Sequence, residues 1–195
     1  MKIYLIRHGE TDWNLQGRLQ GREDIALNDN GIHQAKRCGQ AFKDKEIKAV
    51  ITSPLIRAKK TAEIISENIS VDHFIVEEAL IERDFGAIAG LTFDKRKHFD
   101  TFGKDEGIEP WEKLSKRLMD CIDQYAMIYP QDEIIMVSHG AAINTILAVL
   151  SNGEIGSGKT RLKNACISIL ECKNEKIYLR DYNLTAQEFE AYQEK

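Results

Sequence analysis

Two hexapeptides, Tyr4–Gly9 (YLIRHG) and Ile135–Gly140 (IMVSHG), each end a run of apolar residues in a histidine–glycine pair. Imidazole can attack, bind an anion or carry a proton near neutral pH. A lone histidine after an apolar run is more often packed or solvated than functional, but here the arrangement repeats. Arg7 precedes His8, and Arg57 lies early in a further segment with helical spacing. Two guanidinium groups and two imidazoles brought together would make a pocket for a compact, multiply charged anion. Phosphate is the obvious choice, because guanidinium matches its oxygens in fork geometry. A glycine after each histidine would let backbone N–H groups approach the same anion. Taken alone, Arg57 reads as an exposed helix residue beside Lys59 and Lys60.

A second candidate is Gly153–Thr160, GEIGSGKT, which fits the nucleotide-phosphate loop pattern G-x-x-x-x-G-K-[ST]. Such a loop works when it follows a buried strand and opens a helix, so that loop amides and the helix N-terminus share the phosphates. Here AAINTILAVL before it has a helical pattern, and RLKNACISILEC after it alternates like a strand. The segment is therefore expected to be a glycine-rich connection, with nucleotide binding as the unlikely alternative.

The elements that must position these groups alternate between strand and helix. KIYLI (Lys2–Ile6) and EIIMVS (Glu133–Ser138) read as buried strands, KAVITS (Lys48–Ser53) as a further strand and HFIVEE as a shorter one. Helices are expected over Gly31–Phe42, from Pro54 with Leu55, Ala58, Ala62 and Ile65 on one face, over Glu112–Tyr129, and over AAINTILAVL. ACISILEC and KIYLRDY form a hairpin across Lys173-Asn174-Glu175. The expectation is an α/β fold, a three-layer α/β/α arrangement with a mostly parallel central sheet and a C-terminal β-hairpin, in one domain over residues 1–195. In such sheets ligands bind at the carboxyl ends of the strands, which is where both histidines fall.

Composition narrows the class. At 195 residues with 43% hydrophobic and 30% charged, the chain can bury a core without disulfides or metals. A formal net charge of −4 gives no basic excess for nucleic acid. The first apolar run is too short for a signal peptide, and no run reaches the length of a membrane span, so a cytoplasmic location is expected. Cys38, Cys121, Cys166 and Cys172 lack metal-ligand spacing and are expected to be reduced, buried thiols.

LIRHGETDWNLQGRLQG (Leu5–Gly21) resembles the signature of the histidine phosphatase superfamily, which includes cofactor-dependent phosphoglycerate mutases. TSPLIRAKKTAE (Thr52–Glu63), ALIERDFG (Ala79–Gly86), VSHGAAI (Val137–Ile143) and NACISILE (Asn164–Glu171) resemble later blocks in the same order. The resemblance implies that His8 is a nucleophile forming a phosphohistidine. It implies that Arg7, Arg57 and His139 hold the equatorial phosphate oxygens. Asn14 would add a neutral hydrogen bond, and Gln20 and Gly21 would border the substrate. Glu82 would protonate the leaving oxygen and then take a proton from water. On its own Glu82 reads equally as a surface carboxylate paired with Arg83. No metal or cofactor is implied, and the partner is a small phosphate ester.

Where many relatives carry a Glu-Gly pair after the acid, GAIAG has Ala89, so a substrate contact by that glutamate is in doubt. The stretch between Glu82 and His139 is compact, which favours hydrolysis over the shielded transfer of a mutase, the alternative reading. Leu91–Leu114 is expected to lie over the pocket. Its Lys95, Arg96, Lys97 and His98, interleaved with Phe93, Phe99, Phe102 and Trp111, could receive a second anionic group. Asp94, Asp100, Asp105 and Glu106 nearly cancel that charge, which favours a solvated helix face.

Overall fold

The computed structural model describes residues 1–99, 107–174 and 176–193; of 98, 99 and 193 only the backbone is described. Six strands form one sheet: β1 (Lys2–Arg7), β2 (Ile47–Thr52), β3 (His73–Val76), β4 (Glu133–Ser138), β5 (Ile167–Lys173) and β6 (Lys176–Leu184). Their order is β3-β2-β4-β1-β5-β6. The first four strands in that order pair in parallel, whereas β5 pairs antiparallel with both β1 and β6. The mostly parallel sheet with a terminal hairpin is as expected; Glu175, in the hairpin connection, lies outside the described residues.

Alternation along the strands builds the three layers. Ile3 and Leu5 of β1, Ile51 of β2, and Ile134 and Met136 of β4 pack with α5 (Trp111–Ile128) and α6 (Gly140–Leu150) on one face. Tyr4 and Ile6, Val50, and Ile135 and Val137 face the other way, onto α2 (Asp29–Gln40) and α3 (Ile56–Ser66). The apolar stripe of α5, Leu114, Leu118, Cys121, Ile122 and Tyr125, is buried, and truncating either fully buried leucine to alanine would cost about 2–5 kcal/mol. Phe189, on α7 (Ala186–Gln193), closes the second layer against Tyr4 and Phe42 with ring centroids 5.4 and 4.7 Å away. Helix α7, the short α1 (Asp12–Leu15) and α4 (Phe93–Phe99) carry too few periodic apolar residues to announce themselves.

Helix boundaries shift modestly from expectation. Asn28 caps α2, its side chain accepting from Gly31 N at 2.8 Å, so the helix begins two residues before Gly31. Helix α3 begins at Ile56 rather than Pro54, with Leu55 extended at its N-cap. Cys38, Cys121 and Cys166 are buried free thiols, but Cys172, near the end of β5, is only half-buried. Among the described residues no helix is long and apolar enough to cross a membrane.

The sheet order creates the site. β1 and β4 are parallel neighbours, with Arg7 opposite Ser138, so His8 and His139 leave the sheet side by side. The chain after β1 runs to α2 on one face, and the chain after β4 runs to α6 on the other. A crevice opens where adjacent strands diverge in this way.

Candidate active site

Four strand ends feed one cleft of about 790 Å³, lined among others by Arg7, His8, Asn14, Gln20, Gly21, Arg57 and Glu82. His8 and His139 are 2% and 0% exposed, with ring centroids 5.2 Å apart. The residues expected to hold or transfer the phosphate thus gather at this place: of Arg7, His8, Asn14, Gln20, Gly21, Arg57, Glu82 and His139, His139 alone does not itself line the cleft, and its ring lies against that of His8.

His8 is oriented by its neighbour. Its Nδ1 lies 2.7 Å from the Gly9 carbonyl, and a carbonyl can only accept, so Nδ1 carries the proton and Nε2 keeps its lone pair. Burial, followed by the charges of Arg57 and Arg7, holds the His8 pKa well below 6.5, so the ring is neutral at neutral pH. His139 is the N-cap residue of α6, and its Nε2 is hydrogen-bonded to Ser53 Oγ at 2.7 Å. Burial and the same arginines depress its pKa too. Its Nδ1 is buried without a partner among the described residues.

The arginines are held from behind by backbone carbonyls. Arg57, 1% exposed, donates from Nη1 to Glu23 O at 2.6 Å and from Nη2 to Gly21 O at 2.7 Å. Burial pulls its pKa down to about 10, so it remains a cation at neutral pH. Arg7 Nη1 donates to Leu162 O at 2.6 Å. The Nε groups of both arginines are buried and unpartnered. With His139 Nδ1 they form a set of three nitrogens left unmet by protein, which suits an anion. The exposed reading of Arg57 is therefore wrong: the helix turns it inward, onto the loop that follows β1.

Asn14 is presented by a capping box. Thr11 caps α1 and exchanges hydrogen bonds with Asn14, whose Oδ1 also accepts from Asn164 Nδ2 at 3.1 Å. With Oδ1 so occupied, the amide Nδ2 is the group left to donate into the cleft. Gln20 is 7% exposed, and Gly21, at φ +54°, serves chiefly through the carbonyl that holds Arg57.

Glu82 is 7% exposed and is not paired with the Arg83 side chain, which instead donates from Nε to Glu109 O. Its Oε1 accepts from Arg83 N at 2.8 Å and Ala142 N at 2.9 Å, and Oε2 from Ala141 N at 3.1 Å. The carboxylate thus caps the N-terminus of α6, where backbone donors lack helical partners. His139 and Glu82 are brought together by that one helix end.

One of the two glycines does different work from that expected. Gly9 N donates to Thr61 Oγ1 at 3.0 Å and is not turned to an anion. A Cβ at residue 9 would sit 2.4 Å from Gly31 O, so glycine is required by the close approach of α2. A Cβ at Gly140 would lie 3.5 Å from Arg7 Nε, an ordinary contact that would cover one of the unpartnered nitrogens.

Ser53, Thr61 and Asn164 escaped sequence reasoning as site residues. Each falls inside a block that resembles the family, which was the available signal. The Gly153–Thr160 segment joins α6 to β5, without the strand before it or the helix after it that a nucleotide loop needs. Lys159 Nζ donates to Gly153 O within the loop itself. Yet Gly158, Lys159 and Thr160 line the cleft, so the connection forms part of its wall. Of the described side chains of the Lys95–His98 cluster, Arg96 lines it, and the Lys97 ammonium lies 4.6 Å over the Phe93 ring. The side chains of His98 and Phe99, and Asp100, Phe102, Asp105 and Glu106, lie outside the described residues.

Residues 3–185 match the histidine phosphatase superfamily, branch 1. The chain is 40% identical over 185 residues to "Uncharacterized phosphatase PhoE" of Bacillus subtilis, covering 94% of this chain and 95% of that protein. It is 30% identical over 188 residues to "Probable phosphoglycerate mutase GpmB" of Cronobacter sakazakii, covering 86% and 83%. Among solved structures, a mutant phosphoserine phosphatase from Entamoeba histolytica in complex with phosphoserine superposes with a TM-score of 0.81 at 32% identity, covering 96% of this chain and 98% of that one. The sheet agrees with the superposition, and the chain belongs to the histidine phosphatase superfamily.

Proposed function

We propose that this protein hydrolyses small phosphate monoesters through a phosphohistidine at His8. The observation that carries the reading is the His8 ring itself: neutral, with Nδ1–H tied to the Gly9 carbonyl and Nε2 free to attack between two guanidinium groups. In the first step Nε2 bonds to phosphorus, the ester P–O bond breaks, and Glu82 gives its proton to the departing oxygen. In the second, Glu82 takes a proton from water as that water attacks the phosphohistidine, releasing inorganic phosphate and restoring the ring. Arg7, Arg57 and His139 hold the equatorial oxygens, and Asn14 Nδ2 donates to one of them. The cationic side chains supply the charge stabilisation, so the chemistry asks for no metal.

The relatives named as phosphatases support hydrolysis, and the relative named as a phosphoglycerate mutase supports a second reading, transfer to another hydroxyl. The compact stretch between Glu82 and His139 favours water over a shielded transfer. The test is turnover of para-nitrophenyl phosphate in excess EDTA beside His8→Ala. Activity that survives chelation and disappears in the variant supports the proposal. Activity that persists in His8→Ala, or that EDTA removes, overturns it. A phosphorylated acceptor that is isomerised without release of inorganic phosphate would establish transfer instead.

A further inference from the structure

Glu82 lies in an irregular stretch between β3 and α5, so neither strand nor helix holds its backbone in place. Its side-chain oxygens are fixed by the α6 N-terminus and the amide of Arg83. Its main chain is fixed by something else. Arg22 Nε donates to Glu82 O at 3.2 Å, and Arg117 Nη2 donates to the same carbonyl at 3.3 Å. Arg117, on α5, also donates from Nη1 to Ala79 O at 2.7 Å. It therefore grips the acid's segment at two points.

Arg117 is itself locked by Glu109, which is 5% exposed. The pair is bidentate, Nε to Oε1 at 2.8 Å and Nη2 to Oε2 at 2.9 Å. Arg22 Nη2 reaches the same carboxylate at 3.4 Å. Burial alone would raise the Glu109 pKa, but Arg117, the Asp84 amide and Arg22 together bring it below the usual range. Glu109 is laced to the acid's loop through its backbone as well: Glu109 N donates to Asp84 O at 2.9 Å, and Glu109 O accepts from Arg83 Nε at 2.9 Å. A buried ion pair is weak evidence for stability, since apolar residues would often fill the space as well. This one holds the main chain at Glu82 and on either side of it, at Ala79 and Asp84, while lining no part of the cleft itself.

We infer that Glu109 and Arg117 are positioning residues for proton transfer by Glu82, holding its backbone so that its carboxyl stays aimed at the leaving oxygen. The inference rests on the reading of Glu82 as the acid. It is a supporting shell of the kind that sets a reacting group to within fractions of an ångström.

The experiment compares kcat/KM for 2,4-dinitrophenyl phosphate, whose leaving group needs no proton, with that for an alkyl phosphate, whose leaving group does. Because kcat/KM reports only steps up to leaving-group departure, the later hydrolysis does not intrude. Arg117→Met should lose roughly 10–100-fold on the alkyl ester and no more than about 3-fold on the dinitrophenyl ester, with Arg117→Lys between it and the wild type. Arg117→Met leaves the Glu109 carboxylate buried and unpaired, so Glu109→Gln/Arg117→Met carries the same comparison where the single variant does not fold. Glu82→Gln is measured in parallel. If its loss does not depend on the leaving group, the reading of Glu82 as the acid fails, whatever Arg117 does. If Glu82→Gln shows the dependence while the Arg117 variants lose equally on both esters, or on neither, the positioning inference is overturned.

Discussion

The ends of β1 and β4 carry the same dipeptide, His-Gly, at adjacent positions of one sheet, and the fold uses them differently. At the first, the imidazole is tied back to its own neighbour's carbonyl, which leaves Nε2 open, and the glycine is needed where α2 passes. At the second, the imidazole opens a helix, binds Ser53 through Nε2 and keeps Nδ1 unpartnered, and the glycine leaves Arg7 uncovered. The lesson is that a repeated motif says where a site lies but not which copy does what. The ring nitrogen left open, and what it faces, distinguishes attack from binding.

The largest effect should separate the two histidines. His8→Ala is expected to lower kcat/KM by about 10⁴-fold or more, because in the proposed mechanism it removes the atom that forms the intermediate. His139→Ala should cost about 10²–10³-fold, the scale of one lost donor to the transition state. Mass spectrometry after substrate mixing should find phosphohistidine at residue 8 in wild type and His139→Ala, and none in His8→Ala. Phosphorylation at residue 139 with residue 8 silent would invert the assignment.

The glycines offer the next test, this time in stability. Gly9→Ala forces a methyl group against the Gly31 carbonyl and should cost about 1–3 kcal/mol or more, since backbone must move to admit it. Gly140→Ala meets only ordinary contacts at the start of a helix and should change stability by no more than about 0.5 kcal/mol, while weakening phosphate binding beside Arg7. Urea denaturation of the two variants would show the gap; equal losses would mean that the two junctions tolerate side chains alike.

A smaller contrast lies in pH. Both rings have pKa values depressed below 6.5 by burial and the two arginines. The unfolded chain takes up a proton on each as pH falls through 6.5, whereas the folded chain does not. Stability therefore declines below that pH, by up to about 1.4 kcal/mol per pH unit for each ring, until the folded pKa is reached. Denaturation at a series of pH values from 7.5 to 5.5 should show a slope that His8→Ala and His139→Ala each reduce by about one proton. An unchanged slope in either variant would mean that ring titrates normally in the folded protein.

Much of this was legible in the chain. Strands buried on both faces read as continuous apolar runs, so KIYLI and EIIMVS declared both themselves and the histidines that follow them. Arg57 and Glu82 were harder. Each looks like a surface residue locally, and each is buried by contacts that no spacing encodes: Gly21 and Glu23 carbonyls for the arginine, the α6 N-terminus for the acid. Gly9 was misjudged because a close approach between residues 9 and 31 is a property of packing, not of pattern. GEIGSGKT shows the converse, a pattern complete in letters whose neighbouring elements are of the wrong kind.

The finest distinction concerns how each ring is aimed. The hydrogen bond that sets His8 goes to a main-chain carbonyl, so no side-chain substitution can delete it. The one that sets His139 goes to Ser53 Oγ and can be removed by substitution, at the further loss only of the 3.3 Å bond that Oγ accepts from Leu55 N. Ser53→Ala strips one hydrogen bond from a buried imidazole, an effect of about 0.5–1.5 kcal/mol, or roughly 2- to 12-fold in affinity. Because His139 is assigned to binding rather than attack or proton transfer, the loss should appear mainly as a raised KM. It should be equal for good and poor leaving groups, and should leave phosphohistidine formation at His8 intact. A loss as deep as that of His139→Ala would put the serine hydroxyl in contact with the reacting phosphate. No change at all would mean that the helix start, and not the serine, aims the ring.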